Sequence, residues 1–172
     1  PPEEPALHRA PPSLPPESPA TGIKVLGVGD LLTRTARCCN PLPGDEIVGY
    51  ITRARGVTVH RATCANVLNE DEPERLVGVS WGPSQDLHPV RVEVIAFDRV
   101  GLLRDITTMV AAEKVNIASM VTTEPSDGTA VLTLTLYTTG VGQLSRLFAK
   151  LEGIRGAVGV RRVEGAVHPP AP

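Results

Sequence analysis

Four residues with metal-binding side chains stand out in the first half of the chain. Two of them are adjacent, Cys38 and Cys39, and the others follow as His60 and Cys64. Adjacent cysteines close only a strained disulfide ring, and a chain with three cysteines leaves one thiol unpaired. Three thiolates and one imidazole instead make a four-coordinate set that suits tetrahedral Zn²⁺. The spacing therefore admits a zinc site that uses every cysteine of the chain.

The same residues also admit a plainer interpretation. Cysteine is often a small buried apolar residue, and His60 can lie on a strand that faces solvent. Spacing alone leaves both interpretations open. If zinc binds, four protein ligands leave no vacant position, so the ion would be structural rather than hydrolytic. A hydrolytic site would also need a general base, and the nearest candidates, Asp45 and Glu46, are typical of a solvated turn.

The composition excludes several classes of protein. The chain has 172 residues, a formal net charge of −2 and 3% aromatic residues, which disfavours nucleic-acid binding by bulk charge or by base stacking. No apolar run reaches the roughly 18 residues of a membrane span. Residues 1–20 lack the apolar centre of a signal peptide. Because the three cysteines show no paired framework, we expect a reducing compartment, the cytoplasm, and no membrane contact.

Composition and patterning divide the chain into four parts: a linker, two domains and a tail. Residues 1–20 are proline-rich and predict a linker, and residues 166–172 predict a tail. Residues 21–85 have short apolar runs, with strands predicted at EIVGYIT, GVTVH and RLVGVSW and a short helix at CANVLN. So thin a core needs a further crosslink, which a structural metal would supply.

Residues 86–165 show longer periodic segments. Strands are predicted at PVRVEVIAF, VNIASMVTTE, TAVLTLTLY and AVGVRRV, and helices at GLLRDITTMVAAE and from Leu144 to Leu151. We expect Asp98 to cap the first helix and Gly153 to end the second. The order β-α-β-β-α-β predicts a ferredoxin-like domain. The predicted fold class is α+β: a small mixed α/β domain stabilised by zinc, followed by a ferredoxin-like domain.

The stretch ARCCNPLPGDEIVGYITRARGVTVHRATCANV resembles the cysteine-rich zinc-finger domain, or ribosome-intersubunit domain, of long RelA/SpoT-type enzymes. These enzymes make and hydrolyse the alarmone (p)ppGpp. In that family an ACT domain follows, and the second segment, with DRVGLLRDIT, resembles one. The resemblance covers residues 30–164 and implies that Cys38, Cys39, His60 and Cys64 hold a structural Zn²⁺. It also implies a regulatory region without catalytic activity, which acts on hydrolase and synthetase domains upstream in the same chain.

Arginines surround the predicted zinc site. Between positions 34 and 61 the sequence has five arginines and two acidic residues. A solvated polar face accounts for this by charge alone. The family resemblance implies contact with ribosomal RNA and A-site tRNA. On that basis we expect Arg53, Arg55 and Arg61 to contact phosphate, for which the planar guanidinium is well suited.

The resemblance also implies a ligand site in the second domain. In ACT domains the loop between the first strand and helix can bind an amino acid at a homodimer interface. Here that loop contains Asp98, Gly101 and Leu102, expected to face Asn116 and Ile117. Helix amides favour a carboxylate, polar side chains favour an ammonium, and the apolar surroundings favour a branched-chain amino acid. Alternatively, these residues are only a helix cap, core and turn.

Two functions therefore remain in view. The first is a regulatory region that senses the state of the ribosome. The second is an ACT dimer that senses a branched-chain amino acid and acts allosterically.

Overall fold

The computed structural model of the chain describes residues 23–25, 32–53, 56–82 and 86–164. They form two modules, which we call the first module (residues 23–82) and the second module (residues 86–164). The predicted linker, the predicted tail and Arg55 lie outside the described residues. In the part of the chain that is described, no helix is long and apolar enough to cross a bilayer.

Short strands separated by turns build the first module. Its strands are β1 (Ile23–Val25), β2 (Thr33–Thr35), β3 (Ile47–Ile51), β4 (Val57–Arg61), β5 (Leu76–Val77) and β6 (Val79–Trp81). A single helical turn, α1 (Ala65–Leu68), and a 3-10 helix (Pro73–Arg75) follow β4. One sheet has the strand order β2-β4-β3-β5, and β1 pairs with β6 in a second sheet.

The predicted strand RLVGVSW is divided between these two sheets. β5 pairs with β3, whereas β6 pairs with β1. Gly49 on β3 lies where the sheets meet, because a Cβ at this position would lie 2.7 to 2.9 Å from the side chains of Val57, Val77 and Val79. The sequence prediction missed β1 and β2, since three residues are too few to show alternation.

The first module has a small core. Val57, Val59 and Val79 are its buried residues, and partly buried aliphatic residues pack against them: Ile23, Ile47, Ile51 and Val77. Val57 and Val59 alternate along β4 with residues on the opposite face, as expected for a strand with one buried face. A core of this size gives limited stability, so a bound metal would add substantially to it.

The second module has the predicted βαββαβ order. Its elements are β7 (His88–Phe97), α2 (Leu102–Ala112), β8 (Asn116–Thr123), β9 (Thr129–Thr138), α3 (Val141–Glu152) and β10 (Ala157–Arg162). The strands form an antiparallel sheet in the order β10-β7-β9-β8. This arrangement confirms the ferredoxin-like prediction.

Alternation along the two central strands forms the core of the second module. The inward residues of β7 and β9 are all buried: Val90, Val92, Val94, Ala96, Ala130, Leu132, Leu134 and Leu136. The helices cover this face with side chains one turn apart: Leu102, Ile106 and Val110 from α2, and Leu144, Leu147 and Leu151 from α3. The helical spacing in the sequence predicts this burial except at Leu103 of α2, which is 44% exposed.

The start of α2 differs from the sequence prediction. Gly101, with φ of +83°, is the N-cap residue, and no side chain caps the helix. Asp98 lies too far before the helix to do so, and its prediction as the cap was wrong. The end of α3 is as expected, because the helix ends at Glu152 with Gly153 as its C-cap.

A loop of the first module enters the core of the second module. We call residues 40–45 the docking loop. Leu42 in this loop is fully buried and belongs to the same core cluster as Leu144 and Leu136. The carbonyl of Pro43 accepts a hydrogen bond of 2.8 Å from the N–H of Val141 at the start of α3. The two modules are therefore packed directly against each other.

Candidate metal centre and ligand pocket

The three cysteines and His60 converge on one point in the first module. Cys38 and Cys39 lie in the turn after β2, His60 lies near the end of β4, and Cys64 is the N-cap residue of α1. β2 and β4 are neighbours in the sheet, which brings the turn beside the histidine. The four possible ligand atoms lie within 4.8 Å of one another.

The distances between these atoms test whether they fit a metal. The Sγ of Cys38 lies 3.4 Å from the Nδ1 of His60 and 3.7 Å from the Sγ of Cys64. The Sγ of Cys39 lies 3.8 Å from the same Nδ1. Tetrahedral zinc, with Zn–S of about 2.3 Å and Zn–N of about 2.0 Å, separates two sulfurs by about 3.8 Å and sulfur from nitrogen by about 3.5 Å. The residues therefore fit Zn²⁺ held by three sulfurs and Nδ1.

Burial opposes ionisation of a thiol in this site. Desolvation is the main reason that the pKa of Cys39 is raised to about 12. Burial also lowers the pKa of His60 below its ordinary value, which favours the neutral imidazole that binds metals. The raised pKa of Cys39 in contrast favours its protonated thiol, and a nearby cation would favour the thiolate. A bound metal supplies that charge, so binding would release protons and weaken as the pH falls.

Arg61, adjacent to His60, contacts both modules. Its backbone N–H donates to the Sγ of Cys39 at 3.3 Å, and its Nη1 donates to Glu164 at 3.1 Å. Its Nε lies 3.7 Å from a carboxylate oxygen of Asp45. The guanidinium is therefore engaged by two carboxylates, which makes Arg61 a poorer phosphate ligand than its place in the sequence indicated.

Asp45 is not the solvated turn residue that the sequence predicted. Its side chain is 8% exposed and accepts hydrogen bonds of 3.0 and 3.1 Å from Arg162 of the second module. The N–H of Leu42 also donates to it at 2.7 Å. Glu46, the other acidic residue of this turn, is exposed as expected.

The other predicted RNA contacts are placed only in part. Arg53 is exposed in the turn after β3, and Arg37 is exposed beside the cysteine pair. Arg37 belongs to the same arginine-rich segment in the sequence, although it was not singled out. Arg53 and Arg37 are therefore each accessible to an external partner.

A cavity of about 270 Å³ lies at the start of α2 in the second module. It is lined by Asp98, Arg99, Gly101, Leu102, Leu103, Arg104, Thr122, Glu124, Ala130 and Leu132. The structure thus brings together three of the predicted ligand residues, namely Asp98, Gly101 and Leu102. Ala130 and Leu132 are buried and make part of the wall apolar.

Asn116 and Ile117 do not line this cavity within one chain. They open β8 and pair with Tyr137 and Leu136 near the end of β9, whereas the cavity lies near the beginning of β9. Their expected role at a dimer interface stays a prediction. Thr122 and Glu124 were missed, although the antiparallel β8-β9 pair places the last residues of β8 beside the first residues of β9.

The charges around the cavity have both signs. Arg99 donates to Asp105 at 2.6 Å, and this hydrogen bond is the main reason that the pKa of the Asp105 carboxyl is lowered. Asp98 and Glu124 contribute carboxylates. A cavity with carboxylates, helix amides and an aliphatic wall can hold a small zwitterion with an apolar side chain.

Two domain families match the chain in succession. The family model of the RelA/SpoT RIS domain matches residues 23–82, and that of the ACT domain matches residues 84–162. The chain belongs to the RelA/SpoT family. Its first module is the RIS domain and its second module is the ACT domain.

Relatives with curated descriptions share this region. The chain is 44% identical over 150 residues to GTP pyrophosphokinase of Escherichia coli strain K12. The aligned region covers 84% of this chain and 20% of that protein. It is 36% identical over 170 residues to the bifunctional (p)ppGpp synthase/hydrolase RelA of Mycobacterium tuberculosis. That aligned region covers 95% of this chain and 23% of that protein. The chain thus spans about a fifth of the length of these relatives.

Among solved structures, one match is to an ACT domain. The crystal structure of the ACT domain from GTP pyrophosphokinase of Chlorobium tepidum has a TM-score of 0.41 and 22% sequence identity to this chain. It covers 45% of this chain and 99% of that one.

Proposed function

We propose that this chain is a regulatory region without catalytic activity of a cytoplasmic (p)ppGpp synthetase/hydrolase. It contacts ribosomal RNA and A-site tRNA and controls catalytic domains upstream in the same chain during the stringent response. The observation that carries the proposal is the succession of a RIS domain and an ACT domain in a chain 44% identical to a GTP pyrophosphokinase. The proposed domain limits are 21–85 and 86–165, between a linker and a tail.

In this proposal the metal is structural Zn²⁺. The ligand separations of 3.4, 3.7 and 3.8 Å support it, because they match a tetrahedral site. Four protein ligands leave no vacant position for a substrate or a water molecule, so the ion would stabilise the RIS domain and take no part in chemistry. It would hold β2, β4 and α1 together around a core of three buried residues.

The RNA-binding surface in this proposal is the exposed arginine face of the RIS domain. Arg53, exposed in the turn after β3, is the described residue that we assign to it, and Arg55 is assigned with it from the sequence alone. Arginine binds phosphate through its fork of donors, and with few aromatic residues in the chain the recognition would be of shape and backbone. Because Arg61 is engaged by Asp45 and Glu164, we assign it a smaller share of RNA binding.

Ribosome binding at several salt concentrations tests the RNA-binding proposal. Arg53→Ala should weaken binding of the chain to purified ribosomes and reduce the slope of log affinity against log salt by about 0.7 to 0.9 for one lost phosphate contact. Arg146→Ala is the matched control, since that side chain is 65% exposed on α3 of the ACT domain. Equal affinities and equal slopes for Arg53→Ala and the unaltered chain would refute the assignment.

A second function is favoured by the cavity at the start of α2. Its volume of about 270 Å³ and its mixed polar and aliphatic lining suit a branched-chain amino acid, which would act allosterically through an ACT homodimer. Titration calorimetry with valine, leucine and isoleucine should then give heat. Asp98→Asn should weaken binding, while Glu46→Gln, at an exposed residue of the RIS domain, should not. The absence of heat with all three amino acids would rule out this second function.

A further inference from the structure

We propose that the docking loop, residues 40–45, couples metal binding in the RIS domain to docking of the ACT domain. The metal would hold the loop in the conformation that the ACT domain binds, and the docked ACT domain would in turn strengthen the metal site. This inference rests on the metal site of the proposed function and adds a regulatory consequence to it. The chemical species concerned is a divalent cation of the zinc type.

The first part of the argument is the attachment of the loop to the metal site. The loop begins directly after Cys38 and Cys39, so ligation of the two thiolates fixes the position at which it starts. Asn40 has a left-handed φ of +43° and its N–H donates to Ala36 at 3.1 Å, which turns the chain out of the site. Any movement of the cysteine pair must therefore move the loop.

The second part is the attachment of the loop to the ACT domain. Leu42 is fully buried among ACT residues, and the Pro43 carbonyl accepts from the N–H of Val141. The side chain of Asn40 donates to the carbonyl of Pro89 at 2.8 Å. A Cβ on Gly140 would lie 2.5 Å from the Pro43 oxygen, so the loop and the start of α3 approach as closely as glycine permits. The loop is therefore anchored to the ACT domain, with Leu42 in its core.

Asp45 and Arg162 join the two attachments. Arg162, the last residue of β10, donates to both carboxylate oxygens of Asp45 and to the Asn40 carbonyl at 2.5 Å. Both side chains are largely buried, at 8% and 13% exposure. Arg61, whose N–H donates to the Cys39 sulfur, lies 3.7 Å from the same carboxylate. A single buried carboxylate thus connects a metal-ligand neighbour with an ACT strand, and removing Arg162 leaves it with the more distant Arg61 as its cationic partner.

The coupling must act in both directions. If docking changes the affinity for the metal, then the metal changes the free energy of docking by the same factor. Arg162 therefore acts as a positioning residue for the metal site, although it lies in the other domain and contributes no ligand. Arg161 provides a matched control, because it precedes Arg162 on β10. Its side chain is 68% exposed and pairs with Glu93 on the sheet surface.

Zn²⁺ affinity and amide exchange test the coupling on the whole 172-residue chain. Zn²⁺ affinity is measured by competition with a chromophoric chelator. It should fall about tenfold in Arg162→Met, which is within the range of coupling between sites. In Arg161→Met it should stay within about twofold of the affinity of the unaltered chain. In the unaltered chain, removal of Zn²⁺ should speed hydrogen exchange at the Val141 amide. Amides of Val94 and Leu134 in the centre of the ACT sheet should keep their protection, which shows that the ACT domain stays folded.

The single tryptophan gives a second readout of the junction. Trp81 donates from Nε1 to the carbonyl of Asp45 at 3.0 Å, so its emission should change when Zn²⁺ is removed. The coupling alone would be overturned if the Arg162→Met and Arg161→Met variants bound Zn²⁺ with equal affinity. It would also be overturned if Val141 exchange and Trp81 emission did not change when Zn²⁺ is removed. Failure of the unaltered chain to bind Zn²⁺ would overturn the metal assignment and the coupling together.

Discussion

Individual residues of the candidate metal site are placed by local backbone geometry. Asn40 has a left-handed conformation, which asparagine tolerates better than most residues, directly after the cysteine pair. Cys64 is the N-cap residue of α1 and has an extended backbone conformation, so it lies just outside the helix that follows. His60 lies on β4 and pairs with Val48 of β3, which limits its movement. These constraints preorganise the four ligand atoms before any metal arrives.

Replacing Cys64 by serine should remove one sulfur ligand and with it most of the metal affinity. We expect loss of stoichiometric zinc, measured by elemental analysis of the purified chain. The free energy of unfolding should fall by several kcal/mol, since structural zinc contributes on the order of 10 kcal/mol in small domains. Thr63→Ser, a change at the exposed neighbouring residue, should leave both quantities unaltered. Full zinc content in Cys64→Ser would contradict the assignment of this ligand.

Leu42 behaves as a core residue although it lies in a loop. Leu42→Ala should lower the free energy of unfolding by about 2 to 5 kcal/mol, as for other buried leucines, because it leaves a cavity between the domains. Leu68→Ala should change it by less than about 0.5 kcal/mol, because Leu68 is 69% exposed. Urea unfolding followed by circular dichroism measures both. Similar values for the two variants would mean that the docking loop contributes little to the core.

The element that connects the domains is the start of α3. Gly140 precedes the helix and approaches the docking loop, whereas Gly142 lies in its first turn with no backbone atom nearby. Thr138 and Gln143 complete this start, since the hydroxyl of Thr138 donates to the Gln143 side chain at 3.0 Å. One end of a helix thus serves both the ACT fold and contact with the RIS domain.

Two glycine substitutions test this element directly. Gly140→Ala should destabilise the chain by about 1 to 3 kcal/mol, because its Cβ must displace the Pro43 backbone. Gly142→Ala should be neutral or stabilise by up to about 1 kcal/mol, since alanine favours helix and the nearest atom is the end of a flexible arginine at 3.9 Å. Thermal unfolding distinguishes them, and a reversed order would contradict the described approach of loop and helix.

The whole molecule depends on contacts between its two domains. Leu42 of the RIS domain packs in the ACT core, and Arg162 of the ACT domain donates hydrogen bonds to Asp45 in the docking loop. Trp81 and His88 flank the link between the domains, with their rings in an edge contact at 6.2 Å. Polar groups at this junction are largely buried, so the relative position of the domains is specified by side chains from both.

Stability should depend on pH through His88 at this junction. Burial is the main reason that the pKa of His88 is lowered, although nearby Asp86 opposes the shift. As the pH falls below about 6.5, the unfolded chain takes up this proton before the folded chain does. The free energy of unfolding should therefore decrease in this range and be fully retained above it.

Urea unfolding at a series of pH values from 8 to about 5 measures this dependence. His88→Gln should show a smaller decrease than the unaltered chain under the same metal conditions, because glutamine does not titrate. An identical decrease in the two proteins would show that His88 is not responsible. Any pH dependence from the metal ligands is present in both and cancels in the comparison.

The amino-acid sequence by itself determined the local features of this protein. Alternation in β7 and β9 and helical spacing in α2 and α3 depend only on residues close in the chain, and they predicted both the βαββαβ order and the buried faces. The types of the four candidate ligands admitted zinc chemistry, and the family resemblance implied it. The division of RLVGVSW between two sheets was beyond such patterns, because pairing with distant strands decides it.

The tertiary structure alone decided which residues meet across the chain. Asp45 and Arg61 have the character of solvated residues, yet both are engaged at the domain junction. Thr122 and Glu124 enter the cavity only because β8 runs antiparallel to β9. Leu42 is buried by residues about a hundred positions later in the chain, whose packing no local pattern encodes.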